Sequence, residues 1–150
     1  MNKPKIQGFT LLELIIAVAI MGITLSLALP SITGILAENR LTSAANDMVS
    51  ALQVARSESI KQVRQGVVCI TGTTWVSSIG ACANVLQNYQ APRGVSLTIT
   101  GGDINAQTPT YNSDGRLVAT QNITIEFTNP DTPKKRVLTA TPTGRITVTQ

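Results

Sequence analysis

Apolar residues run almost unbroken from Phe9 to Leu29, and the chain then changes period twice. Residues 11–29 would make about 28 Å of helix at 1.5 Å per residue, enough to cross a bilayer. Pro30 follows and lacks an amide donor, so a kink or break is expected around Gly22–Pro30, with Gly34 adding slack. From Asn39 a helical period of 3.6 sets in. Leu41, Ala44, Ala45, Met48, Leu52, Ala55, Ser59 and Val63 form one stripe, and Arg40, Asp47, Ser50, Ser57, Glu58 and Lys61 lie opposite. Gly66 is the expected stop. Past it the period falls to two. Val67–Ile70, Val95–Ile99, Ile123–Phe127, Val137–Leu138 and Ile146–Val148 read as strands. Gly101-Gly102, Asn112–Gly115, Asn129–Asp131 and Pro142–Gly144 punctuate them, and Gly101–Pro109 reads as a flexible loop. A helix followed by antiparallel strands predicts an α+β fold.

The first apolar run carries one charge, Glu13, and Lys3 and Lys5 precede it. A carboxylate in hydrocarbon is costly and ordinarily has a partner and a role. The flanking lysines predict a cytoplasmic N-terminus and an exported remainder. A plain membrane anchor would account for the length but not for Glu13. A secretory signal cleaved after Ala17-Val18-Ala19 would discard half of the apolar run.

The string Gly8-Phe9-Thr10-Leu11-Leu12-Glu13 resembles the class III signal of type IV pilins and type II secretion pseudopilins. That resemblance implies prepilin peptidase cleavage after Gly8, methylation of Phe9 as the new N-terminus, and pairing of Glu13 with the terminal amine of a neighbouring subunit. Further on, Asn46–Lys61, Val67–Cys69, Trp75, Asp114-Gly115-Arg116 and Gly144-Arg145 follow the order of the GspH/FimT family, whose members are minor pilins or the matching minor pseudopilins. The implied organisation is a leader over 1–8, a transmembrane helix half over 9–30, an amphipathic half over 31–65 and a β-rich head over 66–150. The fold is then the type IV pilin fold, a long N-terminal helix packed on an antiparallel β-sheet or sandwich head. The implied setting is the bacterial inner membrane, single-pass with a periplasmic head, and then the pilus or pseudopilus. The implied partners are other pilins and minor pilins through the N-terminal helix, the prepilin peptidase and the inner-membrane assembly platform.

Composition narrows the chemistry. The chain of 150 residues has no histidine, so Ser-His and Cys-His catalysis and a histidine-based metal site are excluded. No cofactor or metal is implied, and no catalytic residue is assigned. Ser57 and Lys61, one turn apart, read as a solvated face rather than a dyad. Cys69 and Cys82 lie 13 apart, a poor zinc spacing without histidine. Outside the cytoplasm a disulfide is the expected state, worth roughly 3 kcal/mol, with two buried thiols as the alternative. It would staple a loop holding Gly72, Trp75, Ser77, Ser78 and Gly80.

Residues 38–150 hold ten Lys/Arg and seven Asp/Glu, a mildly basic head of about +3 (10 − 7). Lys134-Lys135-Arg136, read as lying between two strands, and Arg145, in a turn, are candidates for weak phosphate contact with DNA; a solvated hairpin is the plainer reading. Arg116 flanks another turn. Some family members resemble DNA-uptake receptors with a Gly-Arg-x-Arg motif. Here Gly144-Arg145-Ile146-Thr147 keeps the first arginine and replaces the second. The functions in view are a minor pilin at or near a pilus tip that assists DNA uptake, a GspH-like pseudopilin of type II secretion, and a dedicated DNA-binding receptor.

Overall fold

The computed structural model describes residues 9–102 and 108–150, apart from the side chains of residues 27–31. One helix, α1 (Leu11–Gln62), precedes eight strands: β1 (Gly66–Thr71), β2 (Thr74–Ile79), β3 (Val85–Gln90), β4 (Ser96–Gly101), β5 (Thr110–Tyr111), β6 (Ile123–Asn129), β7 (Thr132–Ala140) and β8 (Ile146–Thr149). They form two four-stranded sheets in the orders β3-β2-β1-β5 and β4-β6-β7-β8, every pairing antiparallel. This is the α+β architecture expected of the pilin fold. The chain divides into two compact units, one ending at Ile35 and the other, the head, running from Leu36 to Gln150.

The predicted stripe forms the helical side of the head core. Leu41, Ala44, Ala45, Met48, Leu52, Ala55 and Ser59 are all buried. Val68, Ile70, Trp75, Ile125, Phe127 and Leu138 meet them from both sheets. In β6 alternate residues Ile123, Ile125, Phe127 and Asn129 face inward, as a period of two requires. Where the first sheet meets the helix the side chains are small. The Ser77 hydroxyl donates to the Ala51 carbonyl at 2.8 Å, and a Cβ at Gly66 would run into the Ala55 carbonyl oxygen. The sheet therefore lies against helix backbone, which only residues of this size allow.

Several expectations are corrected. No break occurs at Pro30: helical structure runs through it, because losing one backbone bond inside a 52-residue helix does not dissolve its neighbours. The helix stops at Gln62 rather than at Gly66, which opens β1. Its end is a Schellman turn, with the Arg64 amide donating to the Ser59 carbonyl at 3.2 Å. Val63 occupies the left-handed position with φ of 51° and is 75% exposed, so it leaves the buried stripe. The segment read as a stapled loop is two strands. β2 is interior to its sheet, and its buried Ser77 and Ser78 make a core strand look like a polar loop. Lys134, Lys135 and Arg136 lie within β7 rather than between strands. Of the predicted loop Gly101–Pro109, residues 103–107 lie outside the described residues, while the buried Pro109 accepts a bond from the Val68 amide at 2.9 Å.

Cys69 on β1 and Cys82 in the β2–β3 connection are joined as expected, their Cα atoms 5.8 Å apart. The bond ties the tip of the β2–β3 hairpin back to the central strand.

Val63→Gly is expected to stabilise the head by about 1 kcal/mol, since a β-branched residue is strained in the left-handed region and glycine is not. Thermal unfolding of the head should shift upward by a few degrees. An unchanged or lower midpoint would show that the Schellman turn carries no strain at Val63.

Candidate functional site: the N-terminal helix and the arginine-clamped turns

Gly8, the expected cleavage position, lies outside the described residues. Phe9 follows and is 89% exposed. Thr10 and Glu13 form a capping box at the start of α1. The Thr10 amide and hydroxyl both donate to Glu13 Oε2 at 2.9 Å, and the Glu13 amide donates to the Thr10 hydroxyl at 3.2 Å. Among the described residues Glu13 Oε1 accepts nothing. The carboxylate thus satisfies two donors of Thr10 with one oxygen.

The helix beyond it is apolar all round. Leu14, Ile15, Ile16, Val18, Ile20 and Met21 are each at least half exposed, and successive residues point to every side. Such a helix is stable only when something apolar surrounds it. Among the described residues no helical stretch is long and apolar enough to cross a membrane. The fully described stretch ends at Ser26, whereas the apolar run in the sequence continues to Leu29.

In the head, three motifs distant in sequence meet at Arg56. Its Nε donates to the Gly115 carbonyl at 2.8 Å and its Nη1 to the Gly144 carbonyl at 2.9 Å. One planar guanidinium thereby locks two turns, which an ammonium could not do with the same geometry. Both glycines are left-handed, with φ of 77° and 83°. A Cβ at Gly144 would lie 2.6 Å from the Gly115 carbonyl oxygen and 2.9 Å from Arg56 Cζ. Glycine is required at that position by conformation and by space. Burial pushes the nearby Tyr111 phenol up to about 12, opposed by the charge of Arg56, and its hydroxyl has no partner among the described residues.

The residue after each clamped carbonyl is an arginine. Arg116 and Arg145 are both exposed, and among the described residues neither side chain is ion-paired. An open depression of about 390 Å³ is lined by Asn112, Asp114, Arg116 and Pro142, among others, and not by Arg145.

The other expected phosphate-binding residues are engaged elsewhere. Lys134 pairs with Glu38 at 2.9 Å, Lys135 with Glu126 at 3.1 Å, and Arg136 donates to the Thr42 hydroxyl at 3.3 Å. Lys134 and Arg136 reach the helix, while Lys135 reaches β6, as alternation along a strand dictates. Arg145 sits beside Thr141, bonded through backbone at 2.9 Å. That is seven positions along the chain from Lys134, about 23 Å at 3.3 Å per residue. The four cations do not form one patch. Lys61 pairs with Glu58 at 2.8 Å and the Ser57 hydroxyl donates to the Val54 carbonyl, so those two form no dyad. Among the described residues no cluster of potential metal ligands occurs. Sequence reading assigned Arg56 no role. The signal available was a helix arginine accompanied by two Gly-Arg turns, and nothing in their spacing shows that they converge.

Arg56→Lys should destabilise the head by about 2 kcal/mol, the scale of charged hydrogen bonds to two carbonyls. Thermal unfolding of the variant checks this, and an unaltered midpoint would mean that the clamp holds nothing.

The family model described as type II transport protein GspH matches residues 44–144. A second, the prokaryotic N-terminal methylation motif, matches residues 3–29. No curated protein sequence matches. Among solved structures, the type IV minor pilin FimU of Pseudomonas aeruginosa is similar, with a TM-score of 0.62 and 24% identity over 75% of this chain and 90% of that one. The minor pseudopilin EpsH of the Vibrio cholerae type 2 secretion system has a TM-score of 0.56 and 15% identity over 73% of this chain and 96% of that one. At these identities the likeness establishes the fold, and the GspH model, matched by two thirds of the residues from the helix signature to the second clamped glycine, establishes the family. The chain belongs to the GspH family of type IV pilin-like proteins.

Proposed function

We propose that this protein is a minor pilin of a type IV pilus, a structural and assembly component at or near the tip. One observation carries the reading: an apolar-all-round helix preceded by the Gly8-Phe9 pair and bearing a single capped carboxylate. Before assembly this helix anchors the chain once in the inner membrane, N-terminus inside and head in the periplasm. After removal of residues 1–8 and methylation of Phe9, it inserts among the helices of other pilins. The prepilin peptidase and the assembly platform are the partners at those two steps. Glu13 keeps one oxygen for the terminal amine of the adjacent subunit. An ion pair in low dielectric is costly to leave half-made, so it sets the depth of insertion.

The likeness to FimU supports the pilus, and the family description and the likeness to EpsH support a second reading, a minor pseudopilin of type II secretion. Deleting the gene separates them: loss of surface pili supports the first, and loss of exoprotein release with pili intact supports the second.

A role in DNA uptake rests on Arg116 and Arg145, the exposed arginines that the Arg56 clamp holds beside each other. Lys134 and Lys135 are held in surface ion pairs worth about 0–1 kcal/mol each, so they add to binding only by giving up their carboxylates. No aromatic residue lies among these cations, so contact is to phosphate with little sequence preference.

N-terminal analysis of membrane-extracted protein should find Phe9 first, and Glu13→Ala should insert normally yet fall several-fold in sheared filaments; retention of Met1, or equal incorporation, would count against the assembly role. The head titrated with labelled duplex should show log K falling with log salt at a slope near −1.8, about −0.9 for each of two phosphates, and Arg116→Gln with Arg145→Gln should abolish it. A slope near −3.6, flattened instead by replacing Lys134, Lys135 and Arg136, would return the contact to the strand cluster. No binding at tens of micromolar protein would leave a purely structural subunit.

A further inference from the structure

Val63 and seven glycines are the described residues with left-handed backbone. A β-branched residue is a poor choice for that conformation, and glycine or asparagine ordinarily ends a helix there. Nothing inside the head offsets the strain. Val63 is 75% exposed, the most of any large apolar side chain described from Leu36 onward. Single exposed apolar residues are commonplace on relaxed backbone. This one is exposed and strained together, so the head by itself would be better served by glycine. Strain held at a surface position, with glycine in use at every comparable one, marks a side chain kept for a contact outside its own fold.

The neighbours of Val63 limit the chemistry of that contact. Ile60, three residues earlier, is half exposed, and its Cδ1 lies against Gly115. Arg64 comes next in the chain. It is exposed, its guanidinium lies beside Gly80, and among the described residues it joins no ion pair. The acidic residue nearest in sequence, Glu58, is already paired with Lys61 at 2.8 Å and accepts from the Gln62 amide group at 3.0 Å. An apolar projection beside an uncommitted arginine is complementary to an apolar hollow with a carboxylate at its border.

We infer that Val63 is a docking knob, which in the filament fills an apolar hollow with a carboxylate border on the head of an adjacent pilin of different sequence. A second copy of this chain is the poorer occupant. Its head is net positive and repels its like. The depression between Asn112 and Pro142 is lined by both Asp114 and Arg116, so it offers Arg64 no net negative charge. One knob and one arginine are too small for a stable complex between free proteins. Within a filament the N-terminal helices hold heads together at an effective concentration in the millimolar range, and there a contact of this size suffices.

This inference rests on the filament reading above, and the test separates the two. Full-length Val63→Gly, Val63→Ile and Arg64→Glu are each expressed in the pilus-bearing cell. Sheared filaments are assayed against wild type, and thermal unfolding is followed on the purified full-length chains. Val63→Gly should unfold at a higher temperature and yet fall at least fivefold in filaments, a combination that a merely structural valine would not give. Val63→Ile, which keeps the knob, should stay within twofold of wild type, and Arg64→Glu should fall at least fivefold. Wild type absent from filaments removes the filament reading and this inference together. With wild type present, Val63→Gly incorporated within twofold of it, or with no rise in its midpoint, overturns the knob alone. Arg64→Glu incorporated like wild type overturns the carboxylate border. A photo-crosslinking p-benzoylphenylalanine in place of Gln62 leaves Val63 intact and decides even where a variant fails to fold. An adduct with a different pilin is expected; an adduct with a second copy, or none in filaments that contain the chain, overturns the occupant.

Discussion

The head depends on one close approach, that of the β1–β2 ribbon to the backbone of α1. Ala51, Ala55 and Ser59 on the helix face Gly66 and Ser77 on the strands, and the Ser77 hydroxyl closes the seam on the Ala51 carbonyl. Any larger side chain there would lever the sheet away. At that separation the large residues Trp75, Phe127, Leu41 and Met48 fill the space on either side to core density. The Arg56 clamp needs the same separation, because a guanidinium reaches two turn carbonyls only when the helix lies close beneath them.

The two ends of the molecule solve different problems. The N-terminal helix presents apolar surface in every direction and one carboxylate, a combination that suits a helix bundle or a bilayer and not water. The head buries its apolar residues within itself, ties its hairpin with a disulfide, and shows water a surface poor in charge. Half of its cations are committed: Lys61 to Glu58, Lys134 and Arg136 to the helix, Lys135 to β6, Arg56 to the turns. Arg40, Arg64, Arg93, Arg116 and Arg145 stand free of ion pairs among the described residues.

The sequence by itself determined the parts governed by local chemistry. The apolar run with its lone Glu13, the stripe from Leu41 to Ser59, and the strands with clean alternation were legible because each rule spans a few residues. The disulfide was the expected state of two cysteines in a chain read as exported. The family was legible too, since the leader and the helix signature are continuous strings. Tertiary structure alone decided where polarity and burial part company. Ser77 and Ser78 read as loop, yet they lie in a core strand, since their hydroxyls find carbonyl acceptors once the chain has folded. Gly66 read as a helix stop, yet it is the point of closest approach, and the stop fell to Val63, which local propensity disfavours. Lys134, Lys135 and Arg136 read as one patch, yet strand alternation splits them between two partners. Arg56 had no local signature, because its acceptors lie 59 and 88 residues away and meet it only after both sheets have formed.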